Sequence, residues 1–504
     1  MLKKLLSRTA ITAVIILVQI VWIVALLLRL SDALPVMNYV LRILSLVAVL
    51  HVIKNDMDPS YKVSWVLFIA LLPLFGGLMY VLFGNKRPTR FIRDKLNVQL
   101  EETARYYTMR PSAAEEIDDD DARGLFKYLE SYSGYRACRD TKTEYFPVGE
   151  DMFARLIPEL EKAEEFIFLE YFIINSGHMW DSVLDVLRRK VAQGVDVRVI
   201  YDDVGCADYL PANYCQTLRS YGIKAMVFNK FVPVVSVVMN NRDHRKITVI
   251  DGKVGFTGGY NLAEEYFNRT HPYGYWKDTG IMLTGDAVRN LTVMFLEMWN
   301  AVRKTDMDYD KYLPKVEYTA KEQGFVQPYA DSPLDHETTG ENVYMNLIKN
   351  AKHEIFFTTP YLIITDEMSR ELRMAARRGL DVRIVTPGIP DKKLVYQTTR
   401  SYYAPLVRRG VRIYEYTPGF IHQKQTLCDG ETATVGTINF DYRSLYHHFE
   451  NGVLLHGCGA IGAIGEDFAQ IFEVSREVTE QYKGKRSMGL RIIQCILRLF
   501  APLL

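Results

Sequence analysis

The chain contains the same ordered set of segments twice, and such a duplication restricts the fold to two copies of one supersecondary unit. EEFIFLEYFII (Glu164 to Ile174) is answered by KHEIFFTTPYLII (Lys352 to Ile364), each an apolar strand entered from a helical stretch. GVDVRVIYDD (Gly194 to Asp203) is answered by GLDVRIVTPG (Gly379 to Gly388), a glycine helix stop followed by an apolar strand. SYGIKAMVF (Ser220 to Phe228) pairs in the same way with RRGVRIYEY (Arg408 to Tyr416). Short buried strands alternating with helices predict an α/β fold built of two similar halves.

Each copy ends in a motif, HRKITVIDGKVGFTGGYN (His244 to Asn261) and HQKQTLCDGETATVGTIN (His422 to Asn439). Both read H-x-K-x4-D, then a strand, a small-residue turn and an asparagine at one offset. A single H-x-K is common, but two copies in matched surroundings point to chemistry. Residues two apart on a strand share a face, so His and Lys meet one anion, as a phosphate requires. Neutral imidazole serves as nucleophile or base and its protonated form as acid, so two histidines divide the work.

The candidate catalytic residues are therefore His244, Lys246, Asp251, His422, Lys424 and Asp429, with Asn261 and Asn439 as phosphate donors. Asp251 and Asp429 each open an Asp-Gly pair, so a turn role stands beside the catalytic one. Asp278 lies 34 residues after His244 and Glu450 lies 28 after His422, and these carboxylates are placed to orient the imidazoles. No carboxylate cluster or histidine spacing suggests a metal, and no cofactor is expected. His447 and His448 fall outside the repeat and read as surface or structural residues; Tyr171 and Tyr361 close the first strand of each copy, where core packing is favoured over lining a pocket.

Composition sets further bounds. With 504 residues and a net charge of +1, the chain is too long for one domain and too neutral for a nucleic-acid backbone binder. Its apolar residues crowd into the first eighty-odd positions. Thr9 to Leu28 is uncharged and long enough to span a bilayer. Val36 to Ile53 is interrupted by Arg42, and Val63 to Phe83 is uncharged with Trp65 and Tyr80 near its ends. Two or three transmembrane helices are thus expected over 1–85, then a charged linker over 86–130, halves over 131–315 and 316–482, and a basic amphipathic tail over 483–504. Lys86, Arg87, Arg90, Arg93 and Lys95 beside the large soluble part favour a multi-pass cell-membrane protein with a cytoplasmic catalytic domain. Six cysteines show no CxxC pair, so no disulfide framework is expected. The tail mixes Lys483, Lys485, Arg486, Arg491 and Arg498 with apolar residues, and either an anionic bilayer surface or the catalytic domain would suit it.

These motifs resemble the two HKD motifs of the phospholipase D superfamily, whose two similar α/β halves share one active site. The likeness is closer to bacterial cardiolipin synthases, through WVLFIALLPLFGGLMYVLFG (Trp65 to Gly84), GGYNLAEEY and GTINFDYRS (Gly436 to Ser444). The resemblance implies that one histidine attacks phosphatidylglycerol and expels glycerol. A second phosphatidylglycerol then displaces the phosphatidyl-histidine to give cardiolipin. By analogy, attack falls to His244 and proton transfer to His422; Arg245, where the second motif has Gln423, hints at asymmetry. A hydrolase using water, another phosphatidyltransferase and a non-catalytic membrane scaffold are the competing readings.

Overall fold

The computed structural model describes residues 35–501 apart from 56–57, 85–89, 110, 231–240, 307, 315–323, 335–336 and 485–486, with scattered positions between 10 and 29. The first half holds strands Thr141–Phe146 (β1), Phe166–Tyr171 (β2), Asp196–Asp202 (β3), Lys224–Phe228 (β4), Lys246–Ile250 (β5), Val254–Gly258 (β6), Tyr275–Lys277 (β7) and Gly280–Gly285 (β8). The second repeats them as Phe325–Asp331 (β9), Glu354–Thr358 (β10), Asp381–Pro387 (β11), Arg412–Tyr416 (β12), Gly419–Ile421 (β13), Gln425–Cys428 (β14), Thr432–Gly436 (β15), Glu450–His456 (β16) and Ser475–Glu477 (β17).

The sheets run β1-β8-β6-β5-β2-β3-β4 and β17-β12-β11-β10-β14-β15-β16-β9, one order written twice with β17 added at an edge. β2, β3 and β4 pair in parallel through helical crossovers, while β5, β6, β8 and β1 continue antiparallel. The strands are buried on both faces, which explains their continuous apolar runs. One hydrophobic core crosses the boundary, joining Phe168, Val249, Leu291 and Phe295 to Ile355, Phe357, Val435 and Leu454.

The halves are also stitched by backbone, and this places the site. β7 pairs in parallel with β13 of the other half, and Asp243 bridges Phe449 in the matching way. Consequently His422 N donates to Lys277 O (2.7 Å) and His244 N donates to Phe449 O (2.9 Å). The residues following those acceptors are Asp278 and Glu450.

The N-terminal expectations are partly revised. The run 9–28 is described only at scattered positions, and those are helical. Pro35–Lys54 is one helix, but Val63 to Phe83, expected as a single span, is broken into Pro59–Leu71 and Pro73–Phe83. Pro73 has no N–H to continue the first helix, and Leu72 takes φ −131° and ψ 70°, so the chain folds back at that point. Gly76 permits the return, since a Cβ there would stand 2.6 Å from Phe68 O. Tyr61, Trp65, Ile69 and Tyr80 form the small core of this bundle. Among the described residues, no helix is long and apolar enough to cross a membrane.

The stretch expected as a solvated linker instead contains helices Arg90–Thr108 and Asp120–Ser133. They bury Tyr106, Tyr107, Phe126 and Leu129 on the catalytic body. Thr103 and Tyr107 donate to the buried Glu297 carboxylate at 2.6 Å, which ties the first of these helices to Val288–Val302. Among the described residues the cysteines form no disulfide with one another.

Candidate active site

The two histidines are each oriented by the opposite half. His244 Nδ1 lies 2.9 Å from Glu450 Oε2, and His422 Nδ1 lies 2.6 Å from Asp278 Oδ2. An ionised carboxylate only accepts, so both rings carry the proton on Nδ1 and present a lone pair at Nε2. Asp278 fits because Gly259 stands against it, where any side chain would collide with Oδ1. Glu450 receives the hydroxyls of Thr437 and Ser444 instead. Lys246 Nζ donates to His244 O and Lys424 Nζ to His422 O, so each lysine folds back beside its own histidine. Lys424 Nζ is also 2.7 Å from His422 Nδ1; with that nitrogen's proton given to Asp278, the contact is a charge held against the ring.

All these groups are buried, and the electrostatics follow from that. Burial lowers the His244 pKa to about 3; Glu450 opposes the fall, and Lys246 adds to it. Burial and then Lys424 lower His422 to about 4, against the pull of Asp278. Both rings are therefore neutral in the substrate-free site, as a nucleophile must be. Burial would raise Glu450 and Asp278, but His244 and His422 beside them hold both below the ordinary carboxylate range. Burial brings Lys246 down to about 8, with Glu450 and Asp278 resisting, and Lys424 down to about 7, with Asp278 resisting and Lys246 assisting. Two buried ammonium groups repelling one another form a site that an anion relieves.

Comparison with known proteins gives this arrangement its context. A family described as "Cardiolipin synthase, PLD-like domain" matches residues 156–299 and 344–473, one copy in each half. The chain belongs to that family. A second family, "Phospholipase_D-nuclease N-terminal", matches 43–85. The cardiolipin synthase of Geobacillus sp. is 32% identical, covering 89% of this chain and 90% of its own length. An uncharacterized protein of Streptococcus mutans serotype c is 41% identical, covering 91% and 99%. The crystal structure of phosphatidylserine synthase from Haemophilus influenzae superposes with a TM-score of 0.57 at 14% identity, covering 76% of this chain and 98% of that one, which supports the fold.

Within this PLD-like frame, not every expected residue reaches the centre. Asp251 and Asp429, expected among the catalytic residues, sit at the far ends of β5 and β14. Asp251 is about 16 Å along the strand from Lys246 at roughly 3.3 Å per residue. Both take φ 51° before a glycine at positive φ, as a tight hairpin turn requires. Asp251 accepts the N–H groups of Glu164, Glu165 and Phe166 at 2.8–2.9 Å, and Asp429 those of Lys352, His353 and Glu354 at 2.7–2.9 Å. Their carboxylates are used up in fixing strand ends.

Asn261 Oδ1 accepts from Ile173 N (2.9 Å) and its Nδ2 donates to Tyr266 OH (2.7 Å), leaving one N–H of the amide. Asn439 is buried, and its Oδ1 has no hydrogen-bond partner among the described residues. Arg245 points away from the centre and is absorbed by Glu170 (2.5 Å) and Asp243 (3.2 Å). The asymmetry it hinted at is a structural ion cluster, and Gln423 likewise turns to Asp467 (2.9 Å).

Sequence reasoning missed Thr437 and Ser444, and it misplaced His448, whose ring centre is 5.5 Å from that of His244. It also missed the apolar lining. Phe172 packs against His244 at 5.0 Å, while Trp276, Tyr266 and Phe420 surround His422 at 5.3–5.8 Å. Thr437 and Ser444 lie inside GTINFDYRS and Tyr266 ends GGYNLAEEY, so the family resemblance of those segments was the signal available for them.

Proposed function

We propose that the chain is a cardiolipin synthase, a phosphatidyltransferase that joins two phosphatidylglycerols and releases glycerol. The observation that carries the reading is the pair of crossed carboxylate–imidazole contacts flanked by two charge-starved lysines, in a chain whose family is that of cardiolipin synthases. His244 Nε2 attacks phosphorus while the glycerol oxygen leaves, taking a proton from His422. The anionic phosphodiester raises the proton affinity of His422 on binding, and Asp278 stabilises the imidazolium. In the second step the acceptor's hydroxyl gives its proton to His422. Its oxygen bonds to phosphorus as the bond to His244 breaks. Lys246 and Lys424 neutralise the nonbridging oxygens, with Asn261 and Asn439 as further donors. One phosphodiester replaces another, so the energy of the bond is conserved without a nucleotide.

Helices in the first 85 residues anchor the protein in the cell membrane, and the catalytic halves face the cytoplasm. The C-terminal helix Met488–Phe500 supports a lipid-facing orientation. Ser64 Oγ donates to Leu499 O (2.6 Å) and Arg498 stacks on Tyr402 (4.3 Å), while Ile492, Ile493 and Ile496 remain more than half exposed. An apolar face beside Arg491 and Lys483 suits an anionic bilayer.

Purified protein in vesicles of phosphatidylglycerol labelled in both head group and acyl chains tests the reading. The expected products are cardiolipin and glycerol in equal amounts, absent from His244→Ala and His422→Ala. Phosphatidic acid as the main product would replace the transferase with a hydrolase.

A further inference from the structure

His448 lies against the reacting centre without a part in the reaction described above. Its Nδ1 is 3.7 Å from Glu450 Oε1 and both ring nitrogens are buried with no hydrogen-bond partner among the described residues. Its backbone is fixed, because His448 N donates to Arg443 O (3.0 Å) and Phe449 N to Arg242 O (2.9 Å). The neighbouring His447 O accepts from Asn241 Nδ2 (3.0 Å). These bonds fix the point from which the ring projects.

One ligating atom from each of His244, His448 and Glu450 lies within 4.8 Å of the others. Two imidazoles and a carboxylate form a donor set for a borderline divalent cation such as zinc. Bonds of about 2.0–2.2 Å would place such ligands roughly 3.3 Å apart, so the trio must close by about 1.5 Å at most. Rotation of the His448 side chain towards Glu450, whose Oε1 is already 3.7 Å from its Nδ1, would supply that movement. The other half cannot do the same, for the position two before its carboxylate is Trp276, which offers a metal no donor.

We propose that His244, His448 and Glu450 bind a zinc-class divalent cation that switches the reaction centre off. The inference rests on the function proposed above, since what it regulates is that centre. Whichever nitrogen of His244 the cation takes, the imidazole is disabled. Nε2 is the attacking atom, and Nδ1 needs its proton to remain on Glu450. Lys246 and Lys424 sit beside the histidines and oppose a cation, so binding is reversible and weaker than at a closed four-ligand site.

The test titrates the full chain, purified in detergent and stripped with chelator, with Co2+. One cobalt per chain is expected, with visible absorption typical of a low-symmetry nitrogen and oxygen site, displaced by Zn2+. His448→Gln should weaken binding about tenfold or more. His448→Cys should restore it with a new sulfur-to-cobalt charge-transfer band. Zn2+ should inhibit phosphatidyl transfer, and His448→Gln should raise the half-inhibiting concentration by the same factor, each variant measured against its own zinc-free rate. No cobalt binding, or binding and inhibition unchanged in His448→Gln, would overturn the proposal. If transfer is absent altogether the functional reading fails, while the cobalt spectrum still decides the site.

Discussion

Glu450 and Asp278 reach across the boundary between halves, so removing their charge while keeping their shape isolates what they do for the imidazoles. Glu450→Gln and Asp278→Asn should each lower kcat by roughly 10²- to 10⁴-fold with little change in fold, measured by transfer rate and circular dichroism. Asp251→Asn should act oppositely. Asparagine tolerates the positive φ but accepts the three N–H groups less well, so thermal stability should fall by about 1–3 kcal/mol while the folded protein keeps its activity. The lysines set the pH dependence. Their proton affinity is depressed to about 8 for Lys246 and about 7 for Lys424, and only the charged forms neutralise phosphate. kcat/KM should therefore fall as pH rises through 7 to 8. No acidic limb is expected near 6.5, because the attacking imidazole, His244, takes a proton only at about 3, and protonating His422 supplies the acid of the first step rather than removing activity. The histidines and lysines were legible because the motif is duplicated. Thr437, Ser444 and His448 were not, because the first half has Gly259 and Trp276 at two of those positions and no repeat marked them.

At the scale of elements, periodicity and glycine stops located β2, β3 and β4 and their counterparts β10, β11 and β12, since a strand buried on both faces is an uninterrupted apolar run, while the edge strands β1, β9 and β17 went unmarked. The same rule misled over Val63 to Phe83, where hydropathy reads continuously but Pro73 ends one helix and begins another. It also misled over the charged stretch after position 86, whose acidic residues cap and flank a helix that packs. Asp119 accepts from Ala122 N at the start of Asp120–Ser133, so the charges that looked like a linker are part of a helix end. The C-terminal helix has one docked face and one exposed apolar face. Deleting residues 485–504 should weaken sedimentation with anionic vesicles, more so at low salt than at high, and leave binding to neutral vesicles less affected. An unchanged distribution would assign that face to another role.

The whole molecule is two copies of one α/β unit joined by a common core and by the exchanged pairings β7 with β13 and Asp243 with Phe449. The duplication was legible from sequence, but the exchange was not, because spacing along a chain does not say which copy's carboxylate meets which imidazole. Crossing makes the centre a property of the assembled pair: neither half contains an oriented histidine by itself. Covalent transfer through one of these imidazoles would leave a trappable adduct. Turnover of radiophosphorus-labelled phosphatidylglycerol is quenched into alkaline denaturant, where a phosphorus–nitrogen bond survives although the acyl esters do not, and the labelled peptide is mapped. Label on His244 that disappears in His244→Ala is the expected result; cardiolipin formation with label on no histidine would rule out transfer through an imidazole.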